Sequence, residues 1–272
     1  MKVSFARPEQ ELVDYVAKIW VFESHGGIPL TDSRLIVPDG RAKIILPFKS
    51  AVCATVGGQR LNGKEQHIFL VGIQSNPVTI ASTSVVTGTI GIELTPKALY
   101  RLFRLNMRDL TNSMVGFEDI FGSAGARLQQ WIGQIDDPQN KIKLLQGFLS
   151  EQLHQKVKDY SVLDHVVDAV TQARGMISMR KLETQTGYTK RYLDMLFREH
   201  VGPSPKSLAT ILRFQSAYGS WMRDKAPSFA GSDLLGYYYD QSHFIKEFKR
   251  FTGFTPYQYR QIVNEFGKAF AA

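Results

Sequence analysis

Two stretches of this chain follow one plan, 51 positions apart, and that repeat restricts the fold more than any other feature. The first reads LETQTGYTKRYLDMLFREHVGPSPKSL and the second LLGYYYDQSHFIKEFKRFTGFTPYQY. A shift of 51 places Leu193 on Phe244, Phe197 on Phe248, Gly202 on Gly253 and Pro205 on Pro256. In each copy Thr189 or Asp240 stands where a side chain can accept from the free N–H groups of a helix start. The helix that follows buries apolar residues at i and i+4 and shows a polar, mostly basic opposite face. A glycine then ends the helix at positive φ, and a proline three residues later sets the next segment.

This is the plan of a helix-turn-helix unit. Its second helix is short and capped, packs on the first through one side, and offers the other to the major groove. The outward residues of the first copy are Lys190, Arg191, Asp194, Met195 and Arg198. Those of the second are Gln241, Ser242, Lys246, Lys249 and Arg250. Gln can read adenine with two hydrogen bonds, whereas the cations more often hold phosphate. A plain helical bundle with a solvated basic face is the alternative, but it has no need of the repeated cap, glycine and proline.

Charge is distributed to match. From Met176 onward there are 14 Lys/Arg against 8 Asp/Glu, so +6 of the net +8 lies in roughly the last third. A basic segment behind a near-neutral one suggests that one part meets a polyanion and the other does not. Cys53 is the only cysteine, which excludes an intrachain disulfide and suits a reducing cytoplasm. In its apolar run, AVCATV, it reads as a small core residue. No apolar run approaches the roughly 18 residues of a membrane span, so no membrane partner is expected. The segment MKVSFARPEQELVDY lacks the apolar core of a signal peptide. The six histidines are scattered without ligand spacing, and there is no phosphate-binding loop or nucleophile elbow. No catalytic residue, metal or cofactor is therefore expected, and the chain does not read as an enzyme.

Ahead of the repeat the pattern is β-rich. PEQELVDYVAKIWVF places Leu12, Val13, Val16, Ile19 and Trp20 at helical spacing after Pro8, which predicts an initial helix, although KIWVFES also suits a strand. From Arg34 to Leu94 the runs RLIVP, AKIILPF, AVCATVGG, HIFLVGI, PVTIAS and SVVTGTIGIEL are separated by the turn signals PDG, GG, NG and NP. They predict a compact antiparallel barrel or sandwich. The strands then stop. Thr95 can cap a helix with Pro96 at its first position, and helices follow at about Ser123–Gln134, Pro138–Lys158 and Ser161–Ala173. The second of these spans carries an apolar stripe at Leu144, Leu145, Phe148, Leu149 and Leu153. The fold class is α+β in two domains: a β-rich part with flanking helices over residues 1–160, and an all-α part with two helix-turn-helix units over residues 161–272.

With these residues in view, roughly the last 97 resemble the DNA-binding domain of the AraC/XylS family of bacterial transcription regulators. GYTKRYLDMLFREHVGPSPKSLATILRFQ is similar to the family's first unit and the long helix after it, here about Pro205–Trp221. YYDQSHFIKEFKRFTGFTPYQYR is similar to the second unit. The resemblance implies recognition helices in successive major grooves on one face of the DNA, about 34 Å apart. It also implies contact roles for Arg191, Asp194, Met195, Gln241, Ser242 and Lys246. RLIVPDGRAKIILPF, GIELTPKALYRLF and FEDIFG resemble, more loosely, the sensing domains of one AraC-like subgroup, which implies a cupin-like or related regulatory domain. Its clearest mark is the turn Val37–Gly40, beside which Arg34, Asp39 and Arg41 are candidates for a pocket.

The partners so implied are double-stranded promoter or operator DNA, a small-molecule effector, a second copy of the chain and RNA polymerase. A ligand-binding or enzymatic β-barrel with a basic helical appendage is the competing reading, and an adaptor acting through protein partners is a third. The sequence departs from the family where an Ile/Leu-Ala pair and a glycine are expected. Glu183 follows Leu182 in the first unit. In the second, either Tyr237 takes the glycine position or one extra residue precedes Asp240. The supporting segment SFAGSDLLG is poor in helix formers, which predicts that it is short, irregular or mobile.

Overall fold

The computed structural model describes residues 2–26, 34–56, 58–82, 84–103, 105–155, 158–223 and 233–262. Its first part is two antiparallel sheets. One has six strands in the order β1 (Lys2–Ala6), β2 (Val16–Ser24), β9 (Thr87–Leu94), β4 (Ala42–Lys49), β7 (Phe69–Val71), β10 (Met114–Gly116). The other has four, in the order β3 (Arg34–Ile36), β8 (Val78–Ala81), β5 (Val52–Val56), β6 (Gln59–Gly63). The β-rich barrel or sandwich read from the sequence is therefore present.

Several expectations are corrected. The initial helix is a single 3-10 turn, Gln10–Leu12, and the apolar run after it is β2. β2 pairs with β1 on one side and β9 on the other, and Ile19, Trp20, Val21 and Phe22 are all buried. A strand covered on both faces has no reason to alternate, so its apolar residues fell at helical spacing by composition alone. Asn62-Gly63, read as a turn, lies within β6 and pairs with Val52 and Cys53. Strands do not stop at Leu94, because β10 adds to the edge of the large sheet through β7. Cys53 is half-buried rather than in the core, with Arg60 Nη2 3.2 Å from its Sγ.

Helix α1 (Pro96–Leu102) follows β9 with Pro96 in its first turn, as expected. The Thr95 hydroxyl does not cap it but donates to the Asp14 carbonyl 2.9 Å away. The connector comprises α2 (Phe117–Phe121), α3 (Ser123–Gly133), α4 (Pro138–Leu153) and α5 (Ser161–Gln172). α4 stops at Leu153, short of Lys158, and its stripe residues Leu145, Phe148 and Leu149 are buried. The helical part then runs α6 (Met179–Thr186), α7 (Lys190–His200), α8 (Pro205–Arg223), a 3-10 turn at Asp233–Gly236, α9 (Gln241–Thr252) and α10 (Pro256–Ile262). The first residues of SFAGSDLLG, 228–232, lie outside the described residues, and the described remainder is that one 3-10 turn.

The two parts are joined by more than chain continuity. One apolar cluster extends from Leu12 in the β-rich part to Tyr259 in α10. On α1, Lys97 pairs with Asp168 at 2.7 Å, Tyr100 donates to Asp164 at 2.8 Å, and Arg101 also pairs with Asp164, which fixes α1 on α5. Burial and the neighbouring Asp164 carboxylate push the Tyr100 phenol far above its ordinary pKa, so it acts as a donor at any working pH. At the turn Val37–Gly40 the backbone meets α8: Gln215 Nε2 donates to the Pro38 carbonyl at 2.6 Å. Gly40, at φ +75°, lies so close that a Cβ there would sit 2.9 Å from Leu212 Cδ2.

Candidate nucleic-acid interface

In the first unit, Ser178 caps α6 by accepting from the Lys181 N–H at 3.2 Å, and Gly187 ends that helix in the left-handed conformation. Thr189 then caps α7, although its hydroxyl is 3.4 Å from the Tyr192 N–H it accepts from. A second acceptor makes up for that length. Glu183 Oε1 receives the Lys190 N–H at 2.6 Å, so α6 holds the first turn of α7 directly. The residue that breaks the family pattern is thus a carboxylate placed at the positive end of the recognition helix. Leu182, Leu193 and Phe197 are buried where the two helices cross. Gly202, at φ +103°, lets the chain turn from α7 into α8.

The second unit repeats this with different supports. Asp240 accepts from the His243 N–H at 2.7 Å, and Gly253 ends α9 at φ +80°. Phe248 and Phe251 are buried against Phe214, Tyr218 and Trp221 of α8, and Phe244 is buried beside Phe248 and Tyr238. Truncating a fully buried phenylalanine such as Phe248 would cost about 3–5 kcal/mol. Two polar links fix α9 and α10 to the same helix. Arg213 Nη2 pairs with Glu247 Oε1 at 2.7 Å, and the Tyr218 and Tyr259 hydroxyls share a buried hydrogen bond of 2.8 Å. Burial raises both of those phenols above their ordinary pKa, so neither carries charge into the aromatic core.

The outward residues read from the sequence divide as follows. Lys190, Arg191, Met195 and Arg198 on α7 are exposed, as are Gln241, Ser242, Lys246, Lys249 and Arg250 on α9. Asp194 is half-buried on the flank of α7, and its Oδ1 is shielded from solvent with no hydrogen-bond partner among the described residues. Two kinds of residue escape sequence reasoning. Glu183, Arg213 and Glu247 orient the recognition helices through contacts that no local pattern announces. Tyr188 and Tyr239, each just ahead of its cap, are exposed and match under the shift of 51 that relates the two units.

In the β-rich part, Asp39 Oδ1 accepts from the Arg41 N–H at 3.0 Å, and the carboxylate pairs with Lys43 at 2.8 Å. Asp39 therefore supports its own turn and also borders a cavity. Arg41 pairs with Glu93 at 2.6 Å in the cleft between the two parts, and the Arg34 side chain lies outside the described residues. The cavity, about 110 Å³, lies between the sheets and is lined mainly by apolar groups, including Trp20, Phe22, Ile45, Phe69 and Ile80. Gln74, only 7% exposed, borders it. Its amide N–H donates to the Gly72 carbonyl at 2.7 Å, and its Oε1 has no partner among the described residues. No group of acidic, histidine or cysteine side chains suited to a metal ion occurs among the described residues. No helix among them is long and apolar enough to cross a membrane.

Residues 182–262 match a family model described as a helix-turn-helix domain, and residues 4–116 match one described as a domain of unknown function, DUF6597. None of the curated proteins compared with the chain matches it in sequence. Among solved structures, ToxT from Vibrio cholerae is similar, with a TM-score of 0.51 at 12% identity, covering 90% of this chain and 98% of that one. ToxT from Vibrio cholerae O395 bound to (E)-4-(8-methylnaphthalen-1-yl)but-3-enoic acid gives a TM-score of 0.51 at 10% identity, with the same coverage of each chain. At these identities the likeness is one of fold, over both parts of the chain in one arrangement. The chain thus carries a helix-turn-helix domain at residues 182–262 behind a β-rich domain of two antiparallel sheets.

Proposed function

We propose that the chain is a sequence-specific transcription regulator whose two recognition helices, α7 and α9, enter successive major grooves of promoter DNA. The observation that carries this reading is the pair of capped basic helices of one plan, both rooted on α8 and both with cations facing solvent. Arg191, Met195, Gln241, Ser242 and Lys246 are the base-reading set, and Lys190, Arg198, Lys249 and Arg250 hold phosphate. Asp194, half-buried on the flank of α7, belongs to the same contact set. The exposed Tyr188 and Tyr239 hydroxyls donate to the phosphate backbone in this reading. Two reading units on one chain suit a non-palindromic site, so a monomer suffices for recognition.

Residues 1–160 then form the regulatory part and 161–272 the DNA-binding part. The apolar cavity supports a small-molecule effector over a purely dimerising role. Its lining is apolar, and the free Gln74 Oε1 favours a ligand with a hydrogen-bond donor. ToxT has been solved with an aromatic butenoic acid bound, so a small apolar ligand is compatible with this fold.

The test is binding of the full chain to a promoter fragment across a salt series. Affinity should fall steeply with salt through counterion release. Lys246→Ala and Arg191→Ala should each weaken binding, and undiminished binding in both would overturn the residue assignment.

A further inference from the structure

A recess of about 200 Å³ lies between the last turns of the two recognition helices. Arg198 reaches it from α7, Arg250 from α9, and Arg108 from the 3-10 turn Met107–Leu110 of the β-rich domain. All three are exposed, and no acidic residue lines the recess. Elsewhere the arginines that join elements find a carboxylate: Arg41 with Glu93, Arg101 with Asp164, Arg213 with Glu247. These three have no ion-pair partner among the described residues, although Arg250 also lies 5.0 Å from the Phe251 ring. The Ser204 and Ser207 hydroxyls complete the recess at the start of α8.

Three guanidiniums that face one space repel one another unless an anion enters it. Their planar forks match the oxygens of a phosphate or a carboxylate. Position identifies the phosphate. A duplex whose successive major grooves receive α7 and α9 carries its backbone past the space between them. The 3-10 turn is held against that space, because Gly202, at the α7–α8 turn, packs on it. A Cβ at Gly202 would lie 2.6 Å from Thr111 Oγ1 and 3.1 Å from the Met107 carbonyl oxygen. We propose that this recess clasps a backbone phosphate of bound DNA, so that Arg108 makes the β-rich domain itself a DNA contact. This rests on the DNA-binding reading above and extends it: a shift of the 107–110 turn on effector binding would alter DNA affinity directly.

The test uses the full chain, a fragment selected from random DNA, and binding constants over a salt series. Arg108→Ala should lower the slope of log K against log salt by about 0.9, the value for one phosphate contact. It should also weaken specific and non-specific DNA by the same several-fold factor. Arg108→Lys should keep most of the slope. If Arg108→Ala leaves slope and affinity unchanged while Lys246→Ala still weakens binding, the phosphate contact is refuted and the DNA-binding reading stands. If the wild-type chain binds no fragment, both fail. An affinity loss that follows a lowered melting temperature, with the slope intact, would make Arg108 structural and overturn the proposal. Inorganic phosphate that stabilises wild type but not Arg108→Ala, with the DNA slope unchanged, would assign the recess to a free phosphate compound and also overturn it.

Discussion

The Glu183 contact gives the sharpest mutational expectation. Glu183→Ala removes the carboxylate that accepts the Lys190 N–H at 2.6 Å and leaves α7 with only the long Thr189 cap. Losing an N-cap acceptor costs about 0.5–2 kcal/mol, and losing a negative charge at a helix N-terminus costs about 0.3–1 kcal/mol. These two describe overlapping parts of one interaction and do not add. The side chain is partly exposed, so about 1 kcal/mol is expected. That corresponds to roughly a fivefold change in a local equilibrium, since 1.4 kcal/mol is about tenfold. The assay is amide exchange, in which Lys190 should lose about fivefold protection while amides late in α7 change little. Glu183→Gln, which keeps an acceptor without the charge, should fall between the two. DNA affinity is the poorer readout, because removing an anion beside Lys190 and Arg191 also favours DNA and offsets the loss. Unchanged protection at Lys190 in the alanine variant would refute the reasoning.

Three further outcomes are expected. Tyr218→Phe should cost about 1 kcal/mol by stranding the Tyr259 hydroxyl, whereas Tyr218→Phe with Tyr259→Phe should recover most of it, both read from denaturant midpoints. Gly40→Ala should lower the melting temperature of the whole chain, because φ +75° is strained for alanine and its Cβ would press on Leu212 of α8. Burial holds the His200 imidazole below its ordinary pKa, partly opposed by Glu199 and aided by Lys158. A depressed histidine favours the folded state above the ordinary imidazole range and loses that contribution as pH falls through the folded value. Melting temperature should therefore drop from pH 7.5 to 5.5, and His200→Phe, which keeps the edge contact with Tyr160, should flatten the drop.

The helical units were legible in the sequence because their determinants are local. Cap, i/i+4 burial, positive-φ glycine and restarting proline all fall within 17 residues, from Thr189 to Pro205 and from Asp240 to Pro256, and each stands where expected in both copies. The β-rich part was legible as a class but not in detail. β2 was hidden because a strand buried on both faces carries no alternation, and β10 because three residues at a sheet edge leave no pattern. The supports of the site were less visible still. Arg213 and Glu247 are 34 positions apart, and Arg108 meets Arg198 and Arg250 only through packing between the domains. Glu183 looked like a defect because a family pattern records the usual residue and not the alternative contact that a longer one can make.

The most direct test of the central claim is selection of sequences bound by the full chain from a random DNA pool. Two blocks of preferred bases, about 10 base pairs apart centre to centre and unrelated by a palindrome, are the expected result for two unlike recognition helices on one chain. Recovery of no enriched sequence, or of a single block insensitive to Arg191→Ala or to Lys246→Ala, would contradict it.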